Sequence, residues 1–336
     1  MAPATGSSLA MTLALVALCG AADGVAQGAL FGEAARLGPK YTQALVQGTA
    51  ISGVAVSALR VATKAVLPNT RAGLHASASI YFLAAAAVCA ACCWIHAAVL
   101  PRLEAVKAAK LAMLTPEAVE SGAAALELSA PGEDGLGGGT SSTGKGAQAQ
   151  EGEGLLGWRA DAEMGGGSAA GAPRPTYLGV LRQVRTFAAA LVAIYAVSLS
   201  IFPGVLAEDV SSERLGSWYV VGLLAAFNAA DLVGKWLPAA PALRLHSGGA
   251  MAAAAGARLL FVPAFHLAAT RGGGPAVVGP LTLLLGVTNG YLTASAMMAA
   301  PLRVAPQAAA LAGNIMVLAL IAGLCIGAAC GFLWLL

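Results

Sequence analysis

The sequence predicts an all-α integral membrane protein with about eight transmembrane helices, three before a long polar linker and five after it. Three observations carry that reading. Of 336 residues, 58% are hydrophobic and only 10% are charged. The mean hydropathy is +0.76. The apolar residues gather in runs of about 20, the length needed to cross a bilayer at 1.5 Å per residue. A soluble domain carries about 25% charged residues, so this composition excludes an ordinary cytosolic enzyme. A net charge of +3 is too small to call for a nucleic acid or another polyanion.

The expected spans are 9–31, 42–64, 76–99, 184–206, 217–237, 248–269, 276–298 and 308–334. Residues 1–8 lack the basic start of a signal peptide, so the first span is read as a helix that stays. Residues 103–176 are rich in Gly, Ala, Ser and Glu and read as a disordered linker. The chain therefore divides into a partial N-terminal bundle (1–102), the linker (103–176) and a C-terminal bundle (177–336). Arg102, Lys107 and Lys110 precede the linker, and Arg182 and Arg185 follow it. The positive-inside rule then puts the linker in the cytoplasm. Alternation leaves the N-terminus outside, an arrangement that leads us to expect further helices ahead of this chain.

Ten of the sixteen acidic residues lie between Glu104 and Glu163, and Glu208, Asp209 and Glu213 cluster in one connection. Two carboxylates, Asp23 and Asp231, fall well inside apolar runs. A charge at bilayer depth costs at least about 2.5 kcal/mol, so both should face a protein interior or an aqueous cavity. Asp23 and Gln27 are four apart and share a face of the first span. Asn228, Asp231 and Lys235 share a face of the fifth. That trio is either a self-neutralising pair or a site for substrate or protons. Arg60 and Lys64 either snorkel to the interface, or Arg60 pairs with Asp23 or a gate carboxylate. Arg258 sits in the sixth span with Pro263, which should kink it. Asn289-Gly290-Tyr291 interrupts the seventh span. Glycines at four-residue spacing, Gly20 to Gly32 and Gly323 to Gly331, offer faces for close helix contact.

The six cysteines lie in apolar runs and read as small packing residues. No His/carboxylate set completes a metal site, and no cofactor is implied. The sequence holds no HExxH, GxSxG or GxxxxGK[ST] motif, so nothing supports catalysis.

The order of motifs is similar to that of the equilibrative nucleoside transporter family, in its plant or green-algal branch. The resemblance runs from Ala22-Asp23-Gly24-Val25-Ala26-Gln27-Gly28 through Pro39-Lys40-Tyr41-Thr42 and Gly48-Thr49-Ala50-Ile51-Ser52-Gly53 to Ser57-Ala58-Leu59-Arg60. It resumes with Ser200-Ile201-Phe202-Pro203-Gly204 and Phe227-Asn228-Ala229-Ala230-Asp231-Leu232-Val233-Gly234-Lys235. Arg258 with Phe261, Pro263 and Phe265 follows, then Thr288-Asn289-Gly290-Tyr291-Leu292. The resemblance implies bundles like those of the major facilitator superfamily, with this chain supplying helices four to eleven of eleven and lacking the first three. It implies transport of purine or pyrimidine nucleosides by alternating access, facilitative or proton-coupled, in the plasma membrane rather than a vacuolar or other internal one. Asp231 and Lys235 would contact the nucleoside. Asn228, Asn289, Gln27 and Asp23 would be polar neighbours in the cavity, and Arg60 and Arg258 gating or structural groups. The alternative is a truncated, non-transporting or regulatory protein of the same family.

Overall fold

The computed structural model describes residues 6–67, 70–103, 106–107, 175–202, 204, 216–271 and 274–332. The linker expected across 103–176 and the acidic cluster Glu208, Asp209 and Glu213 fall almost wholly outside them. Every regular element among the described residues is helical: α1 (Gly6–Leu37), α2 (Pro39–Val66), α3 (Arg71–Trp94), α4 (Tyr177–Ile201), α5 (Ser217–Trp236), α6 (Gly248–Ala257), α7 (Phe261–Thr270), α8 (Pro275–Ala299) and α9 (Ala309–Gly331). Eight stretches among them are long and apolar enough to cross a membrane. The fourth begins at Tyr177, earlier than the apolar run suggests. Its first turns are amphipathic, with Val180 and Val184 buried while Arg182 and Arg185 stay exposed.

Local chemistry explains the breaks. Gly38 takes φ 109, a backbone open to glycine, and turns the chain from α1 into α2. Pro39 and Pro275 open their helices, where a missing N–H costs nothing. The sixth span is broken between α6 and α7 by a tight 3₁₀ turn, Arg258–Leu260. Pro263 has no N–H for the Leu259 carbonyl, so the expected kink falls one turn ahead of it.

The chain forms two compact units, 1–87 with 175–336, and 88–174. Within the second unit the described residues are the end of α3, its continuation through Ile95–Val99 and Leu100–Arg102, and Leu103, Val106 and Lys107. Cys89, Cys92 and Cys93 are exposed there. Within the first unit one core joins Phe31 of α1 and Val46 of α2 to Leu191 and Ile194 of α4, Met251 of α6 and Met316 of α9. A second cluster joins Val197 of α4, Phe227 of α5, Phe265 of α7 and Leu285 of α8. Phe202 stacks on Phe227 with centroids 4.1 Å apart.

Three helix pairs meet backbone to backbone, and one of them is α1 with α9, where a Cβ on Gly313 would stand 2.7 Å from the Phe31 carbonyl oxygen. A Cβ on Gly323 or Gly327 would stand 2.7 Å from the Val192 carbonyl oxygen or the Leu199 Cβ, so the last-span ridge seats α9 on α4. The first-span ridge is less uniform. Gly32 lies against Asn314 and Ala310 of α9, whereas nothing stands within 4 Å of a Cβ on Gly20 or Gly28. The tightest crossing is α5 on α8. Gly286 faces the Phe227 carbonyl, Gly290 the Asp231 carbonyl and Gly234 the Val287 carbonyl, each without room for a methyl group. Small residues permit such approach in membranes, where packing rather than water exclusion drives helix association.

Candidate functional site

The α5–α8 crossing positions the chemistry. Asp231 and Lys235 lie one turn apart on α5, both buried, with Oδ2 and Nζ 2.8 Å apart. The glycine contacts bring Asn289 of α8 against the same carboxylate, and its Nδ2 donates to Asp231 Oδ1 at 2.7 Å. Ser198 of α4 donates to Asn289 Oδ1 at 2.7 Å. Arg258, in the turn before α7, donates from Nη2 to Ser198 Oγ at 2.5 Å. Its Nη1 donates to the Leu285 carbonyl at 3.1 Å and to Thr288 Oγ1. The guanidinium also lies over the Phe261 ring, 5.5 Å from its centroid. Among the described residues, no carboxylate stands within ion-pairing distance of Arg258. Carbonyl and hydroxyl oxygens satisfy most of this buried cation instead, as its burial demands.

The other end of the chain of contacts opens on a cavity. Lys235 Nζ donates to Thr49 Oγ1 of α2 at 3.3 Å. The cavity, ≈ 170 Å³, is lined by Gln27 and Phe31 of α1, Thr49 of α2, Tyr195 of α4, Lys235 of α5 and Met297 of α8, among others. It presents an ammonium, an amide and three hydroxyls, those of Thr49, Tyr195 and Thr293, against an otherwise apolar wall. An apolar wall with a few placed polar groups is the general pattern of a small-molecule site.

The structure distributes the expected residues unevenly. Lys235 and Gln27 line the cavity. Asp231 and Asn289 stand behind Lys235, because α5 turns Asp231 toward α8. Asn228, one turn away, is directed to α2 and donates to Ser57 Oγ at 2.8 Å. It links helices and does not line the cavity. Asp23 was expected to face the interior or an aqueous cavity. It is exposed, one turn before Gln27, whose Nε2 donates to it at 2.7 Å. Its connection to the cavity is through that amide. Arg60 is exposed at the end of α2 and pairs with neither Asp23 nor any other carboxylate among the described residues. Its neighbour Lys64 lies over the Trp218 ring at 5.1 Å. Arg258 is buried. No group of three or more His, Cys, Asp or Glu stands together among the described residues.

Ser198 and Tyr195 escaped the sequence reading. They are three apart on α4, on one face, but a lone Ser or Tyr in an apolar helix carries no signal by itself.

Eight membrane-length apolar helices among the described residues define a multi-pass membrane protein, and one buried ion pair stands at the edge of a cavity within it. The family model described as nucleoside transporter matches residues 13–336. The chain is 35% identical to "Equilibrative nucleotide transporter 8" of Arabidopsis thaliana, covering 96% of this chain and 68% of that one. It is 35% identical to "Equilibrative nucleotide transporter 1" of the same plant, covering 97% and 64%. With "Equilibrative nucleotide transporter 2" the identity is 31%, covering 94% and 69%. The chain thus spans about two thirds of the length of these plant relatives. It belongs to the nucleoside transporter family, which is one of transporters and not of enzymes.

Proposed function

We propose that this chain carries nucleosides across a membrane by alternating access, with substrate in the cavity beside Lys235. One observation carries the reading: a paired ammonium at the edge of a cavity otherwise walled by apolar and neutral polar groups. Lys235 meets the ribose hydroxyls, Asp231 holds the ammonium in place, and Gln27 offers an amide to the base edge. A phosphorylated substrate would need an unpaired cation or an arginine fork. Lys235 is already neutralised by Asp231, so the cavity suits a nucleoside better than a nucleotide. Lysine supplies a point charge here, without the bidentate fork of arginine.

The test is uptake of labelled adenosine and uridine by transport-deficient cells expressing the chain, with competition by other nucleosides and a pH series. Saturable uptake is expected. Its dependence on external pH separates a proton-coupled from a facilitative carrier. Surface labelling of the same cells checks residence in the plasma membrane rather than a vacuolar or other internal one. No uptake despite correct insertion would overturn the proposal in favour of a family member that does not transport alone.

A further inference from the structure

We propose that Ser198 is a positioning residue of the nucleoside site: it passes the hydrogen-bond polarity set by Arg258 to the amide of Asn289, and so fixes how Asp231 presents Lys235 to the cavity. This rests on the transport reading above.

The argument is an accounting of protons. A guanidinium donates and never accepts. At the Arg258–Ser198 contact, 2.5 Å long, the serine oxygen must therefore be the acceptor. The single hydroxyl proton is left for Asn289 Oδ1, 2.7 Å away. That forces the amide nitrogen toward Asp231 Oδ1, again at 2.7 Å. Asp231 Oδ2 then remains for Lys235. Each link dictates the next, from a buried cation to the edge of the cavity. An amide has two orientations of similar shape, and here the serine proton selects one. In the other orientation two oxygens would face each other and push the carboxylate away from the ammonium.

A serine in an apolar helix ordinarily bonds its own backbone. Ser200, two residues on, does so, donating to the Val197 carbonyl at 2.9 Å. Ser198 instead spends its acceptor and its donor on two other elements. The titratable and charged groups around Asp231 are Lys235 on its own helix, Tyr195 of α4 and Arg258. The contacts to this carboxylate and its lysine from α8 and α2 are the uncharged Asn289 and Thr49.

The experiment compares uptake kinetics of wild type, Ser198→Ala, Ser198→Thr and Asn289→Asp at equal surface expression. Ser198→Ala raises KM about tenfold, the worth of one hydrogen bond in a charged chain, with Vmax within about twofold. Ser198→Thr keeps the hydroxyl and retains the wild-type KM. Asn289→Asp can still accept from Ser198 but has no proton for Asp231. Its uptake falls at neutral pH and recovers as pH drops, because one of two facing carboxylates takes up a proton readily. An unchanged KM in Ser198→Ala, a Vmax loss without a KM change, or a wild-type pH profile in Asn289→Asp would overturn the role of Ser198. Wild type without uptake would overturn the transport reading, and this proposal with it.

Discussion

Asp231→Ala is expected to abolish saturable nucleoside uptake, by at least about 100-fold, in protein that still reaches the membrane. Removing one partner of a buried ion pair strands the other, at about 3–5 kcal/mol. Here the stranded group is Lys235, at the edge of the cavity. The Asn289 amide loses its acceptor as well, an unmade buried hydrogen bond worth about 1–3 kcal/mol. Part of that cost falls on folding, so the single variant should be accompanied by the double variant Asp231→Ala with Lys235→Met. The double variant removes both members of the pair, so neither is left stranded. It is expected to recover expression and thermal stability while uptake stays lost. Normal uptake by Asp231→Ala at wild-type surface levels would remove Asp231 from the site. Recovery of uptake in the double variant would mean that the pair is structural only.

Gly290→Leu is expected to destroy the site from the backbone side. A Cβ at Gly290 would run into the Asp231 carbonyl and stand 2.8 Å from the Lys235 amide nitrogen. α5 and α8 must separate to admit it, and the Asn289–Asp231 bond at 2.7 Å cannot follow. Overpacking of this kind costs about 1–3 kcal/mol even where the surroundings yield, and two helix backbones yield little. Melting of the detergent-purified protein monitors the loss. Gly290→Ala should lower the melting temperature, and Gly290→Leu should leave little folded material. Gly222→Ala, on the same α5, is the control, because nothing stands within 4 Å of its Cβ. It should be neutral or slightly stabilising, since alanine favours a helix over glycine by about 1 kcal/mol. Equal melting of Gly290→Ala and Gly222→Ala would refute the close crossing.

Much of this was legible in the sequence because bilayer physics leaves few choices. Span length and apolarity gave eight crossings, and Pro263 marked the break in the sixth. Helical spacing put Asp231 and Lys235 on one face and left open whether they neutralise each other or form a site; the structure shows them paired. The partners across helices were not legible. Spacing places Asn228, Asp231 and Lys235 on one face of α5, but that face is broad enough to be shared between α8 and α2. Only the glycine contacts decide that Asp231 turns to Asn289 while Asn228 turns to Ser57. Ser198 was hidden for a related reason. Its sequence context does not distinguish it from Ser200, and the difference lies in which side of α4 meets Arg258. Asp23 is exposed and accepts from the Gln27 amide on its own helix, a contact that four-residue spacing made legible.

The two partners of α5 are held by different means. On α8 the contact is backbone against backbone at Gly234, Gly286 and Gly290. On α2 it is made by side chains at three levels, Thr49 with Lys235, Ser57 with Asn228 and Lys64 with Trp218. A contact between bare backbones has no torsion that can relax it, so α5 and α8 form a single stiff slab. A contact made by side-chain reach lengthens by rotating a few bonds, one rung at a time. Any movement of α5 relative to α2 therefore unfastens like a ladder of separate catches, and the slab carrying Asp231 and Asn289 travels without being deformed.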